Sequence, residues 1–237
     1  MMTRTGEISP LVRARVAGIL YLSEIPLGLF SLLYVHTRLV VPGDVAATAS
    51  KIVASESLFR LGIATALIVT LVNMLVALAL YQLLKSVNKN MAALMVIFAL
   101  LGIPIAMLNE LNNFAILLVL GDSRLTVFTP DQLHALVALF LNLHSNAGNI
   151  ANIFWGLWLF PMGYLVFKSG FLPRILGILL MIGCFGYLIQ SFTAILLPNL
   201  DVNIALLSSS GEILLALWLL IRGVNVERWE QRVRESA

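Results

Sequence analysis

The chain has 237 residues, of which 60% are hydrophobic and 11% charged, against a charged fraction of about 25% in soluble domains, and its mean hydropathy is +0.97. A chain of this composition is expected to be an integral membrane protein, since six spans of about 20 residues would take half of it and leave connections too short for a soluble catalytic domain. The net charge of +3, from 15 basic and 12 acidic residues, is scattered over the ends of apolar runs rather than gathered in a stripe, which argues against a nucleic-acid partner.

In chain order, the polar residues Met1 to Pro10 lead through Arg13 and Arg15 into a first apolar run, Val16–Val35. It is longer than a signal-peptide core and no small-residue cleavage site follows it, so it is read as a span. Five further runs follow: Leu58–Leu84, Met91–Leu120, Leu133–Phe167, Leu172–Leu197 and Val202–Ile221. Each is long enough for a helix and too long for a barrel strand. The expected fold class is therefore all-α: a polytopic bundle of six transmembrane helices forming one membrane domain over residues 1–237. Cys184, the only cysteine, lies inside the fifth run, so neither a disulfide framework nor a thiolate metal cluster is available.

Orientation follows from the basic residues. With the N-terminus inside, eleven of them (Arg4, Arg13, Arg15, Lys85, Lys89, Lys168, Arg174, Arg222, Arg228, Arg232 and Arg234) fall on the cytoplasmic side and four (Arg38, Lys51, Arg60 and Arg124) outside. That asymmetry predicts a multi-pass protein of the cell (plasma) membrane with both termini cytoplasmic. In the outer connection before the second run, Asp44 is a candidate N-cap for a short amphipathic helix presenting Val45, Ala49, Ile52 and Val53. Thr129 with Gln132, and Pro130 between them, forms a capping box that starts the fourth run. Residues 222–237 alternate Arg and Glu around Trp229 and Val233, as expected of a cytoplasmic interfacial tail.

Polar residues inside the runs are the candidates for function. Glu24, Glu110 and Glu212 lie within spans that hold no deep Lys or Arg. A bare charge at the bilayer centre costs about 2.5–3.5 kcal/mol on insertion scales, so each must be protonated, hydrogen-bonded to amides or neutralised by a bound cation. Glu24 and Glu212 sit on small, polar helical stripes near the expected midplane and are candidate proton or cation sites. In the third run Asn109, Glu110, Asn112 and Asn113 form a polar knot, with Glu110 meeting Asn113 one turn on. In the fourth, Asn142, Ser145, Asn146, Asn149 and Asn152 run down one face for about 15 Å, with His144 on its flank.

Amides carry both donors and acceptors, so this many at one depth is costly unless they bond one another, water or a ligand. Glu110, Asn113, Asn142, His144, Asn146 and Asn149, with Gln190 at a similar level, are therefore expected to line an outward-facing polar cavity. No P-loop, HExxH, GxSxG, CxxC or Asp-rich diphosphate site occurs in the sequence. His134 and His144 are not spaced to chelate, and neither a metal site nor a cofactor is expected.

The segments Tyr81 to Asn88 (YQLLKSVN), Thr129 to Leu133 (TPDQL), Gly163 to Gly177 (GYLVFKSGFLPRILG) and Gly186 to Ser191 (GYLIQS), with Val41 to Ala46 (VPGDVA), together resemble the bacterial membrane family catalogued as DUF4386. The likeness runs from Arg15 to Gly223. It implies a multi-span membrane protein without an established activity. The pattern it resembles has an acidic residue where this chain has Gln190 and a histidine where it has Trp158, so the resemblance implies no charge or metal role at either position.

These readings converge on a small membrane protein that binds or transports a small molecule through an outward cavity, with proton coupling through Glu24 or Glu212. The alternative is a membrane-embedded enzyme acting on a lipophilic substrate, with a buried Glu as general acid. The expected partners are the lipid bilayer and a small-molecule or lipid ligand.

Overall fold

Apolar segments that meet no water must close their backbone hydrogen bonds internally, and every regular element among the described residues is a helix. The computed structural model describes residues 9–121, 127–200 and 204–236, with 205–207 described for their backbone alone. The first helix, α1 (Pro10–Gly28), contains Pro26, passes into a π-helical segment (Leu29–Val35) and ends in α2 (His36–Leu39). Then come α3 (Val45–Ala54), α4 (Glu56–Leu84), α5 (Lys89–Gly121), α6 (Pro130–Ser169), α7 (Arg174–Leu196), α8 (Ala205–Ile221) and α9 (Val226–Glu235).

Among the described residues, five helices are long and apolar enough to cross a membrane: Pro10–Leu39, α4, α5, α6 and α7. The sixth predicted span corresponds to α8, which has 17 residues and bends by 104° into α9; counted with α9 as a broken span, it makes six. The expected start of that span at Val202 lies outside the described residues, as do Arg4 and Arg124. The chain is a multi-pass helical membrane protein.

Helices overrun the apolar runs that announced them. The first begins at Pro10 rather than Val16, because Arg13 and Arg15 are good helix formers that extend the ladder past the hydrocarbon. The 40-residue α6 is about 60 Å long at 1.5 Å per residue, about twice the hydrocarbon thickness.

The chain divides into two compact units. The first comprises residues 1–23, 72–102 and 152–237 and contains α7, α8 and α9. Its core includes Ala14, Ala17, Leu80, Leu83, Met95, Trp158, Leu165, Leu180 and Leu215. Without a hydrophobic drive between helices in lipid, close backbone approach at small residues supplies the packing. A Cβ at Gly163 would come within 2.6 Å of the Gly177 carbonyl oxygen, and one at Gly18 within 2.7 Å of the Leu220 nitrogen.

Helix α9 is fastened to this unit rather than lying loose. Trp229 Nε1 donates to the Leu83 carbonyl at 3.0 Å, Arg228 to that of Gly170 at 3.1 Å and Arg232 to that of Lys168 at 2.9 Å. The Arg13 guanidinium lies 5.9 Å from the Trp229 ring centroid, within cation–π range.

The second unit comprises residues 24–71 and 103–151. Val35, Leu39, Ile52, Phe59, Ile63, Ile116, Val119 and Val137 form its core. Asp44 caps α3 as expected, accepting from the Ala47 nitrogen at 2.8 Å. The buried stripe of α3 is Thr48, Ala49 and Ile52, whereas Val53, expected on the same face, is 58% exposed. The helical period explains the correction: residues 45, 48, 49 and 52 recur at three and four, and 53 falls beyond that arc. The capping box of α6 forms in both directions, Thr129 N to Gln132 Oε1 at 2.9 Å and Gln132 N to Thr129 Oγ1 at 3.3 Å.

Candidate functional site

The second unit contains a cleft of about 350 Å³. Each wall is one helical stripe. Phe59, Gly62, Ile63 and Ala66 of α4 and Ala138, Leu141, Asn142 and Ser145 of α6 recur at three- and four-residue spacing. Glu110 and Asn113 face it from α5, and Ser31, Leu32, Val35 and His36 from the π-helical segment and the start of α2. The turn before α3 completes it, held by Thr48, whose hydroxyl accepts from Val41 N at 2.9 Å and donates to the Asp44 carbonyl at 2.8 Å. At position 62 the packing is tight: a Cβ there would meet Val35 Cγ1 at 3.0 Å.

The polar end is ordered by a short network. Glu110 is 7% exposed. One of its carboxylate oxygens accepts from Asn113 Nδ2 at 2.8 Å, and the other lies 3.3 Å from His144 Nε2. Behind it Asn109, also buried, donates to the His144 carbonyl at 2.8 Å and accepts from Asn112 Nδ2 at 2.9 Å. Asn109 thus ties α5 to α6 at the level where Glu110 meets His144. A carboxylate with four lone-pair sites and two neighbours retains acceptor capacity toward the cleft.

Of the residues singled out from the sequence, Glu110, Asn113, Asn142 and His144 come together in this cleft. Asn146 and Asn149 are not part of its lining. Asn146 is exposed and turns back on its own helix, donating to the Asn142 carbonyl at 2.8 Å. Asn152 and Gln190 belong to the first unit, where the Gln190 Oε1 is buried with no hydrogen-bond partner among the described residues. Glu24 is partly buried and outside the cleft lining. Most of the lining is apolar, so the funnel anticipated as polar is a largely greasy cleft in which the Glu110 network is the most polar feature.

The residues that sequence reasoning passed over are the apolar wall and His36. Phe59, Ile63 and Val35 carry no chemistry a motif could flag, and the stripe at 59, 62, 63 and 66 became meaningful only beside α6.

Glu212 lies in the first unit. Its carboxylate accepts from Tyr21 and, at 3.0 Å, from Tyr187, and the Tyr21 ring stands edge-on to Trp158 with centroids 6.0 Å apart. Among the described residues, no group of three or more His, Cys, Asp or Glu side chains is placed to hold a metal ion.

Residues 16–223 match the family model described as Domain of unknown function (DUF4386). The chain belongs to the DUF4386 family. It is 31% identical over 158 residues to an uncharacterized protein of Archaeoglobus fulgidus (strain ATCC 49558 / DSM 4304 / JCM 9628 / NBRC 100126 / VC-16), an alignment covering 66% of this chain and 80% of that one. No solved structure matches the chain.

In this DUF4386 chain the segments that carried the resemblance are chiefly architectural. GYLVFKSGFLPRILG closes the α6–α7 hairpin: Gly163 and Gly177 meet across the crossing, Gly170 takes φ +75°, and Ser169 Oγ accepts from Leu172 N at 3.1 Å. GYLIQS places Gly186 against Ser208 and supplies Tyr187 to Glu212.

Proposed function

We propose that this DUF4386 protein binds a small molecule in the cleft of its second unit, as a membrane-embedded binding or transport protein. The observation that carries the reading is that Glu110, Asn113, Asn142 and His144, two of them in contact with the Glu110 carboxylate, line one cleft whose remaining lining is mostly apolar. Concave, mostly apolar sites with a few convergent polar groups are the usual form of small-molecule pockets, and about 350 Å³ lies in their range of about 300–1,000 Å³. The distribution of Lys and Arg supports an orientation with both termini cytoplasmic and the α3 connection outside, so the cleft is assigned to the outer half. Transport coupled to protons through Glu24 or Glu212 draws its support from their position within apolar helices that hold no deep Lys or Arg. A lipophilic-substrate enzyme draws on the Glu110–His144 contact instead.

Native mass spectrometry of the protein extracted with its lipids tests the reading, using Ala138→Phe to fill the cleft. A bound mass retained by the wild type and lost from the variant supports it. Identical spectra of apo protein from both would remove it.

A further inference from the structure

We infer that the cleft selects amphiphiles whose polar end is a cationic amine. This rests on the reading of the cleft as a small-molecule site and adds the chemistry of its occupant.

The lining includes one carboxylate, Glu110, and no Lys or Arg; with histidines counted as neutral, it carries a single negative charge. An anionic headgroup entering here would meet the buried Glu110 with no guanidinium or ammonium to offset it. A neutral apolar body would be held by Leu32, Val35, Phe59 and Ile63 but would leave the polar end without a partner. An ammonium satisfies both. Its N–H groups find the unused lone pairs of Glu110, whose carboxylate Asn113 Nδ2 holds in place at 2.8 Å. The Asn142 side chain also lines the cleft and has no hydrogen-bond partner of its own among the described residues, its backbone carbonyl alone being taken by Asn146. A lone carboxylate with no Lys or Arg beside it, in a lining that is otherwise mostly apolar, describes a ligand with a cationic head on a compact apolar body. The depth of Glu110 makes the discrimination strong, because charge–charge terms are least screened where solvent is excluded.

The test uses three probes of the same skeleton, phenylbutylamine, phenylbutanol and phenylbutyrate, titrated by calorimetry into the full chain in lipid nanodiscs with protein-free nanodiscs as the blank. Phenylbutylamine is expected to bind, phenylbutanol to bind more weakly and phenylbutyrate not to bind. Glu110→Gln should weaken the amine by about tenfold, the scale of one hydrogen bond to a charged group, and leave the alcohol unchanged. Should that variant fail to fold, Asn142→Ala serves in its place and should weaken the amine selectively.

Equal binding of amine and alcohol, or equal loss of both in Glu110→Gln, would overturn the amine assignment. If Ala138→Phe still abolished both, the cleft would stand as a site of other specificity. Binding of either probe unaffected by Ala138→Phe, or no binding at all, would overturn the amine assignment and remove the support that probe binding gives to the cleft.

Discussion

Replacing Glu110 separates a hydrogen-bonded carboxyl from a mere space-filler. Glu110→Ala removes the acceptor of Asn113 Nδ2 at 2.8 Å and the neighbour of His144 Nε2 at 3.3 Å, in a position 7% exposed. Polar contacts within membrane bundles average about 0.6 kcal/mol and reach about 1.7 kcal/mol, so losing two predicts a destabilisation of about 1–3 kcal/mol. Glu110→Gln keeps both contacts: the amide oxygen accepts from Asn113, and the amide nitrogen donates to His144 with the imidazole proton on Nδ1. Its cost is expected below about 0.5 kcal/mol, within the range of substitutions that leave such features intact. Reversible unfolding in mixed micelles, followed by tryptophan fluorescence, gives both values under one protocol. A Gln variant as destabilised as the Ala variant would refute the reasoning that hydrogen bonding, which the amide preserves, is what Glu110 contributes to the fold. An Ala variant as stable as the wild type would show that the network contributes nothing to the fold.

Gly163→Val should destabilise by about 2–3 kcal/mol or prevent accumulation, since overpacking has no flexible neighbour to displace at a backbone carbonyl; yield and unfolding midpoint check this. Trp229→Ala loses the bond to the Leu83 carbonyl and the Arg13 contact, and should cost about 1–2 kcal/mol, releasing α9 to proteolysis within residues 224–236 while the rest of the chain stays protected. Tyr21→Phe and Tyr187→Phe each remove one donor from Glu212 and are expected to cost about 0.6–1.7 kcal/mol singly. Their double variant should depart from additivity because both act on one carboxylate, which a double-mutant cycle in the same unfolding assay measures.

Hydropathy made the helical class legible because lipid leaves a spanning segment no other way to satisfy its backbone. Caps were equally readable: Asp44 and the Thr129–Gln132 box work through neighbours within one turn. Helix ends were not, since hydropathy marks where a helix leaves lipid while the ladder continues through Arg13, Arg15 and Lys168. The site was half legible. Glu110 with Asn113 is a single-helix relation that spacing fixes, and Glu110 with His144 follows once α5 and α6 are adjacent. The long asparagine stripe misled at Asn146, where the side chain bonds its own helix instead of facing the cleft, a local choice that periodicity does not record. The apolar wall was invisible because Phe59 and Ile63 look like any span residue until their helix is placed.

A density map of the protein extracted directly into native lipid, without detergent exchange, decides whether the cleft of the second unit holds a ligand beside Glu110. A discrete feature is expected between the α4 stripe of Phe59 and Ile63 and the polar groups of Glu110, Asn113 and Asn142, within hydrogen-bond reach of the carboxylate. Side chains interlocked across a closed interface, with no space for even a water molecule beside Glu110, would contradict that expectation.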